Sequence, residues 1–139
     1  MRALVLAGAF VLVAEVAFTQ TPKLMLFGGR DHDVYLGCLN CGSVATDSLC
    51  NEFGKYGNEF SGDSIWNEFS RFGNEFSGES PWNEFSTQAP AIVDAKGNFY
   101  GYFSSNEFHP RRPQIKALVA LLNMVGKLKL ESLRKVLCD

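Results

Sequence analysis

Four cysteines carry the clearest chemical potential in this sequence. Cys38 and Cys41 form a C-x-x-C motif, and Cys50 and Cys138 lie further along the chain. A C-x-x-C pair can form a disulfide, ligate a metal or carry thiol redox chemistry. In a chain that leaves the cytoplasm, an even cysteine count favours disulfides, and four cysteines allow three connectivities. The sequence therefore predicts bridged cysteines, with a thiol or metal-binding protein that uses Cys38 and Cys41 as the alternative.

Acidic and aromatic side chains recur at a fixed spacing in the middle of the chain. The tripeptide Asn-Glu-Phe begins at positions 51, 58, 67, 74, 83 and 106, and the first five are separated by alternating steps of 7 and 9 that define a 16-residue unit. A period of this kind indicates stacked units that bury their apolar sides against one another. The candidate binding face consists of Glu52, Glu59, Glu68, Glu75, Glu84, Trp66 and Trp82. Because aromatic faces can stack on sugars, a carbohydrate-binding module is a second alternative.

The orientation of these side chains follows from the local backbone that each unit adopts. In an extended chain, neighbouring side chains point to opposite faces. The expectation is that Phe53, Phe69 and Phe85 lie in the interior and that Glu52, Glu68 and Glu84 face solvent. Like charges in a row repel one another. We therefore expect the acidic row to meet either the C-terminal helices or a basic ligand.

Motifs for catalysis are missing from the sequence. It contains no G-x-S-x-G, phosphate-binding loop or H-E-x-x-H motif, and its two histidines, His32 and His109, are far apart along the chain. Repeated, equivalent glutamates give no single carboxylate a special environment for acid–base chemistry. The sequence predicts a protein that is not an enzyme, with no cofactor and no metal site.

The net charge of −2 conceals a division between two regions. Residues 48–108 hold nine acids and three bases, whereas residues 109–139 hold seven bases and two acids. The two regions therefore carry −6 and +5. The acidic region repels the phosphates of nucleic acid, so nucleic acid is not an expected partner. The expected partner is a protein or a component of the cell envelope.

The N-terminus has the features of a secretory signal. Met1 and Arg2 precede an uninterrupted apolar run from Ala3 to Ala14, and small residues follow it. The predicted signal peptide is residues 1–19, with cleavage after Thr19. The apolar run is shorter than the roughly 20 residues of a spanning helix, so no transmembrane segment is expected in the mature chain. The predicted location is the periplasm, the envelope or the medium.

The remaining patterns predict an α+β fold. The mature chain, residues 20–139, is expected to be one small, β-rich domain built on the 16-residue repeat. Residues 34–108 hold the repeats and a β-hairpin, which is predicted by an apolar run, the turn D-A-K-G-N from Asp94, and alternating aromatics. Apolar residues at helical spacing predict one or two amphipathic helices within residues 114–137.

Three segments together resemble a known family. They are Y-L-G at Tyr35, S-I-W-N-E-F-S-R-F-G-N-E-F-S from Ser64, and V-D-A-K-G-N-F-Y-G-Y-F from Val93. They are similar to a family of short exported bacterial proteins whose repeats read D-S-I-x-N-x-Y-G-x-Y-G-S-x-Y-S. The resemblance spans residues 34–108 and implies export, but it brings no activity, ligand or catalytic residue. This chain has Glu after Asn where the family often has Pro or Lys, which makes its repeat unusually acidic.

The function that these observations favour is non-catalytic. The signal peptide, the repeats and the missing catalytic motifs predict an exported interaction protein or an envelope-associated structural protein.

Overall fold

The computed structural model describes residues 21–139 together with Gly8. The predicted signal peptide, residues 1–19, therefore lies outside the described residues apart from that glycine. Residues 21–139 form four strands and two helices: β1 (Met25–Gly28), β2 (Val34–Cys38), β3 (Ala91–Val93), β4 (Phe99–Tyr102), α1 (Lys116–Leu122) and α2 (Leu130–Cys138). The α+β class is as predicted, with the two short helices at the C-terminal end.

The four strands form one antiparallel sheet in the order β2-β1-β3-β4. In the central strand β1, Leu26 pairs with Gly37 on one side and with Ile92 on the other. Leu26 and Ile92 are fully buried, because the apolar side chains of these short strands face the interior. Residues 39–90 form one long connection from β2 to β3, which lie on opposite sides of β1.

The predicted hairpin is confirmed by β3 and β4. Asp94 closes its turn, because its carboxylate accepts hydrogen bonds from the backbone N–H groups of Lys96 (2.9 Å) and Asn98 (3.0 Å) and from the Tyr100 hydroxyl (2.8 Å). The register shifts within this pair of strands. Gly101, at φ +103°, lies so near the backbone of the next segment that a Cβ would come within 2.9 Å of the Arg112 carbonyl oxygen. Only glycine tolerates both the positive φ and the lack of space for a Cβ.

Residues 48–86 consist of consecutive β-turns, which differs from the extended backbone on which the expected side-chain orientation rests. Backbone N–H groups donate to the carbonyl three or four residues earlier at each step. The first residues of these turns are Ser48, Asn51, Gly54, Asn58 and Ser61, and then, one repeat unit later in each case, Ser64, Asn67, Ser70, Asn74 and Ser77. Serine and asparagine favour turns because their side chains bond the backbone two residues on. Their dense recurrence outweighs the preference of the aromatics for strands.

The helices cover one side of this turn segment. The disulfide between Cys50 and Cys138 fixes the end of α2 to the first unit. One helical turn earlier, the Arg134 guanidinium carbon lies 5.8 Å from the centre of the Trp66 ring. Leu133 of the same helix is buried in the core that the sheet, the turn segment and the helices share. The predicted helices thus pack on the protein with their apolar stripes.

Candidate functional site

Each Asn-Glu-Phe tripeptide forms the start of one tight turn. In the first, the Phe53 N–H donates to Asn51 Oδ1 (3.1 Å), and the Gly54 N–H donates to the Asn51 carbonyl oxygen (3.0 Å). The same pair of bonds forms at Asn58, Asn67, Asn74, Asn83 and Asn106. Asparagine is suited to this place because its short amide reaches its own backbone two residues on. Glutamate and phenylalanine are therefore the two central residues of every turn.

The phenylalanines of these turns are exposed, so the prediction that they lie in the interior is wrong. The exposed fractions run from 81% at Phe60 to 89% at Phe53. The others are Phe69, Phe76, Phe85 and Phe108. The alternation rule applies to extended backbone, whereas the two central residues of a turn both project away from its base. A contiguous patch of exposed apolar side chains marks a surface that contacts something else, and these phenylalanines are candidates for such a patch.

The five glutamates of the candidate face share this exposure. We define the Glu–Phe surface as the tips of five turns: Glu52, Phe53, Glu59, Phe60, Glu68, Phe69, Glu75, Phe76, Glu84 and Phe85. Within the described residues, none of its carboxylates forms an ion pair. The repeat's own bases pair elsewhere, Lys55 with Asp63 (3.0 Å) and Arg71 with Glu79 (3.6 Å).

The acidic row meets the C-terminal helix pair at Glu84. Glu84 packs against Gly126 between the helices, where a Cβ would lie 2.9 Å from its Oε1 atom. That neighbour carries no charge. In the part of the chain that the structure describes, no carboxylate of the acidic row forms an ion pair, and a basic ligand stays a prediction.

Trp66 and Trp82 belong to the core, which corrects their place on the candidate face. They are 4% and 3% exposed, and their rings stack with centres 5.4 Å apart. Their indole N–H groups donate to the carbonyl oxygens of Leu49 (2.7 Å) and Ile65 (2.6 Å), one unit earlier. A sugar cannot reach these faces. They are buried because the turns that hold them point at the sheet and α2, whereas the Glu-Phe turns point at solvent.

A shallow cleft of about 250 Å³ lies between two tips of the Glu–Phe surface. Phe53 and Phe60 form its walls, and Lys55 and Asn58 line it as well. A wider, open cleft of about 540 Å³ lies between the β1–β2 turn and the turn segment, where its lining includes Arg30, Asp31, Arg71 and Glu79. Since Arg71 and Glu79 already pair with each other, this second cleft offers no free charge from them.

All four predicted disulfide cysteines are bridged, Cys38 to Cys41 and Cys50 to Cys138. The first bridge closes a short loop at the end of β2, and the second joins residues that are 88 positions apart. Cys38 is fully buried. Among residues 21–139 no group of three or more His, Cys, Asp or Glu side chains is placed to hold a metal ion. The thiol or metal-binding alternative stays a prediction, since a C-x-x-C disulfide can also be reduced.

A polar cluster joins the sheet to the first unit. Asp47 accepts hydrogen bonds from Lys23 Nζ and from the Tyr35 hydroxyl, both at 2.6 Å. The bond from Lys23, followed by that from Tyr35, lowers the pKa of Asp47. Burial, and then the bond to Asp47, raises the pKa of Tyr35. Each group is satisfied by its neighbours, so the cluster stabilises the fold and offers no free acid or base.

The two histidines, far apart in sequence, both lie beside one tyrosine ring. The Tyr102 ring lies 5.3 Å from the His32 ring and 4.9 Å from the His109 ring. Burial, and then the charge of Arg112, lowers the pKa of His109. Nothing in the sequence pattern indicates this cluster, because the hairpin and the β1–β2 turn bring it together.

Comparisons with known proteins found no matching family model, no similar curated protein and no similar solved structure. The resemblance to the short exported bacterial family therefore stays a prediction. Among residues 21–139 no helix has the length and apolar character needed to cross a membrane.

Proposed function

We propose that this chain is an exported, non-catalytic structural protein of the cell envelope, which associates through its Glu–Phe surface. The observation that carries the proposal is the exposure of every Asn-Glu-Phe phenylalanine to at least 81%. Burying one such side chain is worth roughly 1.5–3 kcal/mol. A partner that covered the five phenylalanines of the Glu–Phe surface would therefore gain a large free energy from their burial.

The rigidity of the turns supports binding more than loose exposure would. In each turn the asparagine side chain accepts a hydrogen bond from the backbone N–H of the phenylalanine two residues on, so the backbone that carries the side chain is held in place before any partner arrives. Pre-organisation lowers the entropy cost of association. The recurrence of the same bonds in successive units also supports a repeat architecture for residues 48–86.

Export is supported by the N-terminal sequence and by the disulfides. Two intramolecular disulfides are typical of proteins that function outside the reducing cytoplasm. The apolar run behind Arg2 is the signal that would direct the chain there.

Cell fractionation tests the proposal. Bacteria producing the full chain are separated into cytoplasm, soluble exported fraction and envelope, with the wild type compared to F53S/F69S/F85S. We expect the wild type in the envelope and the triple variant in the soluble exported fraction. The control is V44S, because Val44 is 92% exposed but lies outside the Glu–Phe surface. Wild-type protein in the cytoplasm, or a triple variant that stays in the envelope, contradicts the proposal.

A further inference from the structure

The molecule carries two complementary surfaces that do not neutralise each other. The Glu–Phe surface presents five exposed carboxylates, and none of them forms an ion pair within residues 21–139. The segment 109–139, here called the basic segment, has a net charge of +5. Its exposed bases include Lys116, Lys127, Lys129 and Lys135. The only ion pair of these lysines in the described chain joins Lys135 to Glu131 at 3.8 Å.

The fold holds the two helices in a fixed position against the turn segment. The Cys50–Cys138 disulfide and the packing of Arg134 over Trp66 hold α2 against the buried Ile-Trp turns. At the other end of the helix pair, Glu84 meets the uncharged backbone of Gly126. In this arrangement the lysines of the basic segment are exposed, and none of them pairs with a carboxylate of the acidic row, although Lys127 follows the glycine that Glu84 packs against.

We infer that the partner of the Glu–Phe surface is the basic segment of a second copy of this chain, so that the protein assembles head to tail. The inference rests on the function proposed above and names its partner. The two contacting surfaces are different, so each added copy leaves one of each kind free. Such contacts extend into a chain or close into a ring, which suits a structural protein of the envelope.

The chemistry of the contact combines an ion pair with an aromatic face. At each tip a carboxylate stands beside an exposed phenylalanine, so a lysine or arginine can pair with the first and lie over the second. The chain already uses this geometry internally, with the Arg71 guanidinium carbon 4.5 Å from the centre of the Phe72 ring. Anionic lipid headgroups and nucleic acid are repelled by the same carboxylates. The charge pattern therefore favours a basic protein surface, and the chain supplies one.

Analytical ultracentrifugation of the purified, disulfide-intact protein tests the inference. We expect the mass to rise with concentration at low salt and to fall back to the monomer at about 1 M salt, where the screening length is about 3 Å. The variants E52Q/E68Q/E84Q and K127Q/K129Q/K135Q each remove three charges from one of the two surfaces. Each alone should associate at least about tenfold more weakly than the wild type.

Mixing the two variants is the decisive arm. One retains an intact basic segment and the other an intact Glu–Phe surface, so together they should form a complex of two chains whose remaining surfaces are too weak to extend it. The control D31N/D33N removes exposed acids outside the surface and should assemble as the wild type does. The inference is overturned by a wild type that stays monomeric up to about 1 mM, by variants that assemble alone, by a mixture without a complex, or by a control that fails.

The failure of this inference can be told apart from that of the proposed function. A monomeric wild type, together with release of F53S/F69S/F85S from the envelope, removes the second copy as partner and leaves the interaction surface in place. Assembly in solution without any envelope association removes the proposed location instead.

Discussion

The indole N–H of Trp82 donates to the carbonyl oxygen of Ile65 at 2.6 Å, across the boundary between two successive repeat units. The rings of Trp82 and Trp66 also stack. One hydrogen bond and one stacking contact thus join these two units.

Removing the indole N–H of Trp82 tests how much this hydrogen bond contributes to the stability of the fold. In Trp82→Phe the ring stays apolar but the buried Ile65 carbonyl loses its partner, so we expect a loss of about 1–3 kcal/mol in the free energy of unfolding. Trp66→Phe is the matched variant, since its indole makes the same bond to Leu49. Urea denaturation measures both, and two variants as stable as the wild type would show that the bonds are dispensable.

The asparagines of the turns should differ in their contribution to stability. Asn67 accepts a bond from the Phe69 N–H and donates from Nδ2 to the Ser61 carbonyl oxygen, both at 3.0 Å. Asn74 makes the first kind of bond, to Phe76, and is less buried. Because a net hydrogen bond is worth about 1 kcal/mol, we expect N67A to lose about 2 kcal/mol and N74A about 1 kcal/mol. Thermal unfolding compares them, and equal losses would contradict the reasoning.

The two disulfides should stabilise the fold unequally, because they close loops of very different length. The chain-entropy model gives about 4–5 kcal/mol for a loop the size of the one that Cys50 and Cys138 close. It gives less than half as much for the short loop between Cys38 and Cys41. We expect C50A/C138A to lower the free energy of unfolding more than C38A/C41A does. Guanidinium titrations without reductant measure the difference, and the reverse order would contradict this account.

Stability should fall in acid partly because of Asp94. The bond from the Asn98 side chain, followed by that from Tyr100, lowers the pKa of Asp94 from its ordinary 3.8 to about 2. A carboxyl with a lowered pKa in the folded state adds stability above its unfolded pKa and loses it as the pH falls through the folded value. The loss should therefore lie between about pH 4 and pH 2. Asp94→Asn should flatten the pH dependence of the melting temperature in that window, and an unchanged slope would count against it.

Local patterns in the sequence predicted the parts of the fold that depend on neighbouring residues. The hairpin around Asp94 and the helices before and after Gly126 come from apolar periodicity and turn residues that are adjacent in the chain. Bridging of all four cysteines also followed from their number. The pairing of Cys50 with Cys138 did not, because connectivity depends on how α2 docks.

The orientation of the turn residues could not be predicted by the same reasoning. Ile65 and Trp66 occupy the centre of one turn, and Glu68 and Phe69 occupy the centre of the next. The local hydrogen bonds of the two turns are alike, yet one is buried and the other exposed. What separates them is contact with the sheet and α2, which is a tertiary effect. The cluster of the two histidines around Tyr102 was missed for the same reason.

The central claim, that the Asn-Glu-Phe phenylalanines form a surface and not a core, is tested most directly by two neighbouring substitutions. Phe69 is 85% exposed, whereas Phe72 is fully buried. We predict that F69A changes the free energy of unfolding by no more than about 0.5 kcal/mol and that F72A lowers it by about 3–5 kcal/mol. Urea denaturation of the disulfide-intact monomer measures both. An F69A variant as unstable as F72A would place this phenylalanine in the core and contradict the account.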